Sequence, residues 1–220
     1  MRMSILPLVV LIAFAGSAAA ERLTSIDKVN GSIRTEQGQA YDSLETVNGS
    51  ITLAARVQAE SVETVNGSIS LNEGARAESV ETVNGSISFG ASSQAGSAET
   101  VNGSIRLDRG AAVQRDVETV NGAIRLEAAT IGGDVETVNG DITLLDGSRI
   151  AGGITIEKPS TGWFNWGGNT RLPKIVIGPN SEVVGAMVFK REVELFVHES
   201  ARIGRVEGAE AKRYSGSELP

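Results

Sequence analysis

Apolar and polar residues alternate in short runs along most of this chain. The run Ser68-Ile69-Ser70-Leu71 is the plainest case, and a period of two residues is typical of a β-strand with one buried face. Isoleucine recurs at a nearly fixed interval, and a mostly leucine position follows it by two residues. The first positions are Ile33, Ile51, Ile69, Ile87, Ile105, Ile124 and Ile142, and the second are Thr35, Leu53, Leu71, Phe89, Leu107, Leu126 and Leu144. The pattern predicts an all-β protein made of many short strands.

The tripeptide Val-Asn-Gly marks the repeat, because it occurs seven times at steps of 18 residues with one step of 19. Its asparagines are Asn30, Asn48, Asn66, Asn84, Asn102, Asn121 and Asn139, and its glycines are Gly31, Gly49, Gly67, Gly85, Gly103, Gly122 and Gly140. The chain is therefore a tandem array. The extra residue falls between Leu107 and Val117, where residues 108–113 have room for a bulge.

Two architectures fit this unit. Asn-Gly between alternating strands is a strong hairpin signal, which would produce an antiparallel meander. Alternatively, each unit is one coil of a single-stranded parallel β-solenoid, in which Asn-Gly forms a corner that accepts a positive φ. Identical residues at equivalent positions favour the solenoid, because each side chain then stacks on its counterpart about 4.8 Å away. We predict a parallel β-solenoid with 18 residues per coil and favour a right-handed winding.

One coil is expected to bury about four large apolar side chains, for example Val62, Val65, Ile69 and Leu71. Burial of about four side chains does not offset the conformational entropy that is lost when a coil becomes ordered. Each coil therefore needs a neighbouring coil on both sides. The regular coils are predicted to occupy residues 21–156. A Gly- and Pro-rich loop at 157–174, variant coils with a cap at 175–206 and a polar tail at 207–220 follow.

Residues 1–20 have the pattern of an export signal. Arg2 is followed by an apolar run from Ile5 to Phe14 and by Ala18, Ala19 and Ala20 before residue 21. The apolar run is too short to span a bilayer comfortably, which favours a cleaved signal over an anchor. We expect an exported protein of the periplasm, the cell surface or the medium, and not an integral membrane protein.

Composition narrows the function classes further. The formal net charge is −7, which argues against nucleic-acid binding because phosphate contacts need a basic face. The chain has no cysteine and one histidine, which excludes thiolate and multi-histidine metal sites. No cofactor is expected. Aromatic residues are only 4% of the chain and glycine accounts for 26 residues, so the core should consist of small side chains.

The recurring Glu-Thr-Val-Asn-Gly-Ser-Ile resembles the repeat of the bacterial putative-adhesin β-strand-repeat family over about residues 26–156. The function of that family is largely unknown. The segment from Ile175 to Ile203 is more loosely similar to bactofilin-type, polymer-forming β-helices. These resemblances imply a right-handed β-solenoid in a bacterial protein, and they supply no catalytic residues.

An acidic ladder is predicted along one face. It consists of Asp27, Glu45, Glu63, Glu81, Glu99, Glu118 and Glu136. Stacked carboxylates could bind divalent cations, but a single ladder rarely supplies the six to eight oxygens that calcium prefers. We therefore favour a solvated face whose repulsion is relieved by Arg34, Arg106 and Arg125.

Two uncharged polar ladders accompany it. The threonine ladder is Thr46, Thr64, Thr82, Thr100, Thr119 and Thr137. An exposed hydroxyl ladder could bind ice, but threonine is also an ordinary strand residue, and we favour the second interpretation. The asparagine side chains are expected to hydrogen-bond along the stack and to accept the corner conformation.

Three aromatic residues stand together in the Gly- and Pro-rich loop: Trp163, Phe164 and Trp166. Exposed aromatics on such a loop would bind sugar, protein or a membrane interface, and the alternative is a plug packed on the solenoid. His198 has no evident nucleophile as a partner and is interpreted as a surface residue.

Catalysis needs unlike groups that converge in one pocket, whereas the polar residues of this chain run in ladders of like groups. The sequence therefore predicts a non-catalytic structural or adhesion-like module of the bacterial cell envelope. It would bind an envelope protein or polysaccharide, or self-associate through its coil ends. A polysaccharide-degrading β-helix enzyme is the alternative, on fold analogy alone.

Overall fold

The structure, a computed structural model, describes residues 23–159, 171–216 and 218–220. These residues contain 25 β-strands and no helix. All of their strand pairs are parallel, and the strands stack into two sheets with about ten rungs. This confirms the predicted parallel β-solenoid and excludes the antiparallel meander. The export signal lies outside the described residues and stays a prediction.

The first sheet carries the isoleucine positions, and we call it the isoleucine sheet. Its strands are β2 (Ile33–Arg34), β4 (Ile51–Leu53), β6 (Ile69–Leu71), β8 (Ile87–Phe89), β10 (Ile105–Leu107), β13 (Ile124–Glu127), β16 (Ile142–Leu145), β19 (Lys174–Ile177), β22 (Glu194–His198) and β25 (Ala211–Tyr214).

The second sheet carries all seven residues of the acidic ladder, and we call it the glutamate sheet. Its first five strands are β1 (Thr24–Asn30), β3 (Ala40–Asn48), β5 (Gln58–Asn66), β7 (Arg76–Asn84) and β9 (Gln94–Asn102). Later coils contribute two short strands each: β11 (Ala112–Val113) and β12 (Val117–Asn121), β14 (Thr130–Ile131) and β15 (Val135–Thr137), β17 (Arg149–Ile150) and β18 (Ile154–Ile156), β20 (Glu182–Val183) and β21 (Met187–Phe189), and β23 (Arg202–Ile203) and β24 (Val206–Glu207).

The register places like residues over like. Glu63 pairs with Glu45 on one side and with Glu81 on the other, and Ile69 pairs in the same way with Ile51 and Ile87. Each rung therefore offers the next rung the same packing surface. This is the physical cause of the repeated identity in the sequence.

The 19-residue step splits the long strand of the glutamate sheet. Val113 pairs with Ala95 and Val117 pairs with Ala98, so residues 114–116 of one coil face only two residues of the coil before it. The extra residue therefore lies within 114–116, and its predicted place in 108–113 is wrong. The register on both sides is kept because the extra residue is accommodated locally, as in a β-bulge.

The interior is lined by side chains that alternate along each strand. Val62, Ile69 and Leu71 are buried, as predicted, but Val65 is 41% exposed. The prediction for Val65 was wrong because a period of two residues turns Val62 and Thr64 inward and turns Glu63 and Val65 outward. The apolar character of Val65 does not override the alternation of the strand.

The glycines of the Asn-Gly corner are explained by close packing and not by φ. Only Gly31 among them has a positive φ, of 111°. A Cβ on Gly85 would lie 1.9 Å from the carbonyl oxygen of Gly67, and the other corner glycines after Gly31 are equally crowded. The corner therefore needs glycine because the coils touch there, and the expected positive φ is wrong for six of the seven positions.

The stack continues beyond the predicted loop. Ile175 pairs with Ile142, so the segment between β18 and β19 is an insertion after which the winding resumes in register. Strand β25, which falls in the segment predicted to be a polar tail, pairs with β22 as the last described rung. In the part of the chain that the structure describes, nothing forms a helix able to cross a membrane.

Candidate functional site

A long groove runs along the outer face of the glutamate sheet, with a volume of about 440 Å³. One wall is the acidic ladder, over the seven rungs from Asp27 to Glu136. The opposite wall is an outward-facing valine ladder. The valine ladder consists of Val47, Val65, Val83, Val101, Val120 and Val138.

The threonine ladder lies between the two walls and faces the interior. Thr82 is only 4% exposed, and its hydroxyl donates a hydrogen bond of 2.9 Å to the carbonyl oxygen of Gly67 in the preceding coil. Thr64 makes the equivalent bond to Gly49. These bonds attach the end of each long strand to the corner of the preceding coil. An exposed, ice-binding hydroxyl surface is therefore wrong for this ladder.

The valine ladder is an apolar stripe on the protein surface. Val47, Val65, Val83, Val101 and Val120 are each about 40% exposed. Because neighbouring rungs are about 4.8 Å apart, these five valines form a continuous stripe about 19 Å long. A continuous exposed apolar stripe next to charged groups is typical of a binding surface. Sequence analysis missed it, because valine was assigned to the core.

The acidic ladder concentrates negative charge along the other wall. Partial burial raises the pKa of Glu81, and the neighbouring carboxylates of Glu63 and Glu99 raise it further. The pKa of Glu118 is raised for the same reasons, burial first and then the carboxylates on either side. Burial is the larger cause of both shifts, and repulsion between neighbouring carboxylates along this wall adds to it.

The arginines expected to neutralise this ladder do not reach it. Arg106 and Arg125 lie on the isoleucine sheet, where Arg106 binds Asp108 at 2.7 Å and Arg125 binds Glu127 at 2.8 Å. Arg34 lies on β2 of that same sheet. Among residues 23–159, 171–216 and 218–220, no lysine or arginine forms an ion pair with the acidic ladder. The predicted compensation is wrong: among the described residues, Lys190, which pairs with Glu157, interacts electrostatically with Glu136 at the last rung of the ladder, but forms no ion pair with it.

This crowding predicts a pH dependence of stability. A carboxyl group whose pKa is higher in the folded state stabilises the fold fully below its unfolded pKa, and this contribution is lost as pH rises through the folded pKa. We therefore expect Glu81→Gln to raise Tm at about pH 7 by up to about 2 °C. At about pH 4 the Glu81 carboxyl is largely protonated and the difference should vanish. Differential scanning calorimetry at the two pH values measures this.

Glu60→Gln is the matched control, because Glu60 is exposed on the same sheet but outside the groove. It should leave Tm unchanged at both pH values. A Glu81→Gln effect that is equal at the two pH values would show that carboxylate repulsion is not its cause.

The asparagine side chains form a continuous ladder at the corner. Each amide donates from Nδ2 to the Oδ1 of the asparagine one coil earlier, at 3.0–3.1 Å. The last acceptor, Oδ1 of Asn139, receives a hydrogen bond of 2.6 Å from Arg191. Arg191 lies 52 residues further along the chain, so sequence analysis had no signal to connect the two.

His198 is not a surface residue, because it is only 8% exposed. Its Nδ1 accepts the backbone N–H of Ser200 at 3.1 Å and lies 2.8 Å from the Ser200 hydroxyl, and its ring meets Tyr214 edge-on. Since the backbone N–H requires Nδ1 to be an acceptor, the Ser200 hydroxyl donates to it. These contacts hold the turn after β22, which is a structural role.

The remaining candidates are not brought together with the groove. Trp163, Phe164 and Trp166 lie outside the described residues, so their role as a binding loop stays a prediction. The described segments contain no group of three or more histidine, aspartate or glutamate side chains arranged to hold a metal ion. Comparison of the chain with family models, with curated proteins and with solved structures finds no match. The function is therefore argued from the groove.

Proposed function

We propose that this chain is an exported, non-catalytic binding module of the bacterial cell envelope, which holds an elongated envelope polysaccharide or protein along its groove. The groove itself is the observation that supports the proposal, since it combines a charged wall over seven rungs with an apolar wall over six of them. A rigid stack of like rungs suits a partner that is itself long and repetitive. The aromatic loop would add a further contact through Trp163, Phe164 and Trp166.

A polysaccharide-degrading enzyme is the second candidate. One observation favours it: Glu81 has a raised pKa and stands one rung from Glu63, and glycosidases pair a protonated carboxyl with an ionised one. The same environment recurs along the ladder, however, with no unlike group to single out one rung. We therefore favour binding over hydrolysis.

The test is binding of the purified protein to immobilised envelope polysaccharides, measured by surface plasmon resonance. The variant Val65→Thr/Val83→Thr/Val101→Thr keeps the shape of the apolar wall but makes it polar. We expect this triple variant to bind at least about tenfold more weakly. Trp163→Ala/Trp166→Ala should weaken binding as well if the loop takes part.

Val184→Thr is the control, because Val184 is 48% exposed and lies outside the groove. Equal binding by the triple variant and the wild-type protein would refute the groove as the site. Release of new reducing ends from the polysaccharide, lost in Glu81→Gln, would establish the enzyme instead. Light scattering of the same samples tests self-association, since β1 and β25 pair on one side only among the described strands.

A further inference from the structure

The geometry points to a linear aliphatic polyamine as a ligand of the groove, lying along the solenoid axis with its ammonium groups on the acidic ladder and its methylene groups on the valine ladder. This inference rests on the proposed function in that it uses the same groove. It goes further by naming the chemistry that the groove accepts.

Charge favours a polycation as the ligand. The wall from Asp27 to Glu136 has no ion pair with a described lysine or arginine, and partial burial, together with the neighbouring carboxylates, raises the pKa of Glu81 and Glu118. A bound polycation would relieve several of these repulsions at once. A single monovalent cation would relieve only the repulsion next to it.

The spacing of the ladder favours a polyamine with three-methylene segments. Successive carboxylates of the ladder are separated by the rung distance of about 4.8 Å. In an extended aliphatic chain, two ammonium groups joined by three methylene groups are separated by four single bonds, or about 5 Å. Each ammonium group therefore faces one rung. An extended peptide places side chains of one face about 6.8 Å apart, so a basic peptide falls out of register within a few rungs.

The apolar wall favours a ligand with methylene segments. In each rung the glutamate and the valine are two residues apart on the same face, so the two ladders are separated by about 6.6–6.8 Å. Val65, Val83 and Val101 are each about 40% exposed to solvent, so a ligand lying between the ladders could cover this apolar surface. The methylene segments of a polyamine would cover this surface, whereas a metal ion would leave it in water.

The width of the groove favours an unbranched ligand. The groove is open to solvent along its length, and its floor between the two ladders is formed by the threonine positions. This space accommodates one unbranched chain. Bulkier cations would contact the acidic ladder without reaching the valines.

The experiment is isothermal titration calorimetry of the full chain with a linear tetraamine that has three-methylene spacers. A tetraamine with six-methylene spacers tests spacing, and calcium chloride tests charge alone. The groove variants are Glu63→Gln/Glu81→Gln/Glu99→Gln and Val65→Thr/Val83→Thr/Val101→Thr. The control Glu60→Gln/Glu73→Gln/Glu210→Gln removes the same charge from exposed positions outside the groove.

We expect the short-spacer tetraamine to bind with an affinity at least about tenfold above that of the long-spacer chain. The affinity for the short-spacer tetraamine should fall at least about tenfold in the glutamine groove variant and about threefold in the threonine variant. In the control variant this affinity should change less than about twofold. An equal loss in the control variant would show that only net charge attracts the ligand and would overturn the inference. Insensitivity to spacing, or calcium binding of equal strength, would overturn it as well.

The two proposals fail separately. No tetraamine binding, together with polysaccharide binding that depends on the valine ladder, would refute the polyamine and leave the proposed function standing. Loss of both would refute the groove as a binding site.

Discussion

Replacing Gly85 by alanine is expected to lower the free energy of unfolding by about 3 kcal/mol or more. The new Cβ would lie 1.9 Å from the carbonyl oxygen of Gly67 and 2.5 Å from its carbonyl carbon. This oxygen also accepts the Thr82 hydroxyl at 2.9 Å, so moving it away breaks a contact on the other side. Urea denaturation monitored by circular dichroism measures the loss.

Two variants separate this steric clash from backbone strain and from the effect of an ordinary surface substitution. At Gly31 an added Cβ meets nothing within 4 Å, but φ is 111°, so Gly31→Ala should cost only the backbone strain of about 1–2 kcal/mol. Ser88→Ala, on the exposed face of β8, should cost less than about 0.5 kcal/mol. If Gly85→Ala is no more costly than Gly31→Ala, close packing of the coils is not the reason for glycine in the corner.

Replacing Phe89 by alanine is expected to destabilise the protein by about 3–5 kcal/mol. Phe89 is fully buried and stands in the isoleucine sheet at a position where its rung neighbours are Leu71 and Leu107. Truncation removes the largest of the fully buried side chains and leaves a cavity that coils held by rungs on both sides cannot close. Thermal and urea unfolding measure the change.

Ala98 allows a second test of how the core packs around Phe89. Ala98 follows Phe89 by half a coil, and it stands where its rung neighbours are Val80 and Val117. We infer that the small residue makes room for the large one across the thin core. Phe89→Leu and Ala98→Val should each cost about 1 kcal/mol or more, and the double variant should cost less than their sum. Strict additivity would show that the two side chains do not share space.

Much of the fold was predictable from the sequence because a parallel stack repeats one local pattern. The spacing of the seven Asn-Gly pairs and of the isoleucine positions specifies the length of the coil and the register of its rungs. Local alternation also specifies which residues share a face, and Val65 was misplaced only because its hydrophobicity was given more weight than its position. Glu63 and Val65 are two residues apart and therefore had to lie side by side on one surface.

Other features depended on contacts between distant parts of the chain. Arg106 and Arg125 are close to residues of the acidic ladder in the sequence. The sequence did not show that these two arginines lie on the opposite sheet and pair with other carboxylates there. His198 became buried because β25 packs against it, and Arg191 reaches Asn139 only after the insertion has returned the chain to the stack. None of these contacts has a local signature.

The amino-acid sequence by itself determined the parallel solenoid, the 18-residue coil and the ladders of like residues, because a repeat whose period matches one winding can satisfy its hydrogen bonds and packing only by stacking on itself. The tertiary structure alone decided that the acidic and valine ladders enclose a groove, and that the acidic ladder forms no ion pair with a lysine or arginine of the described residues. The direction of a side chain follows from strand alternation, but the curvature of the surface and the partners of a charge follow from how the sheets close around the core.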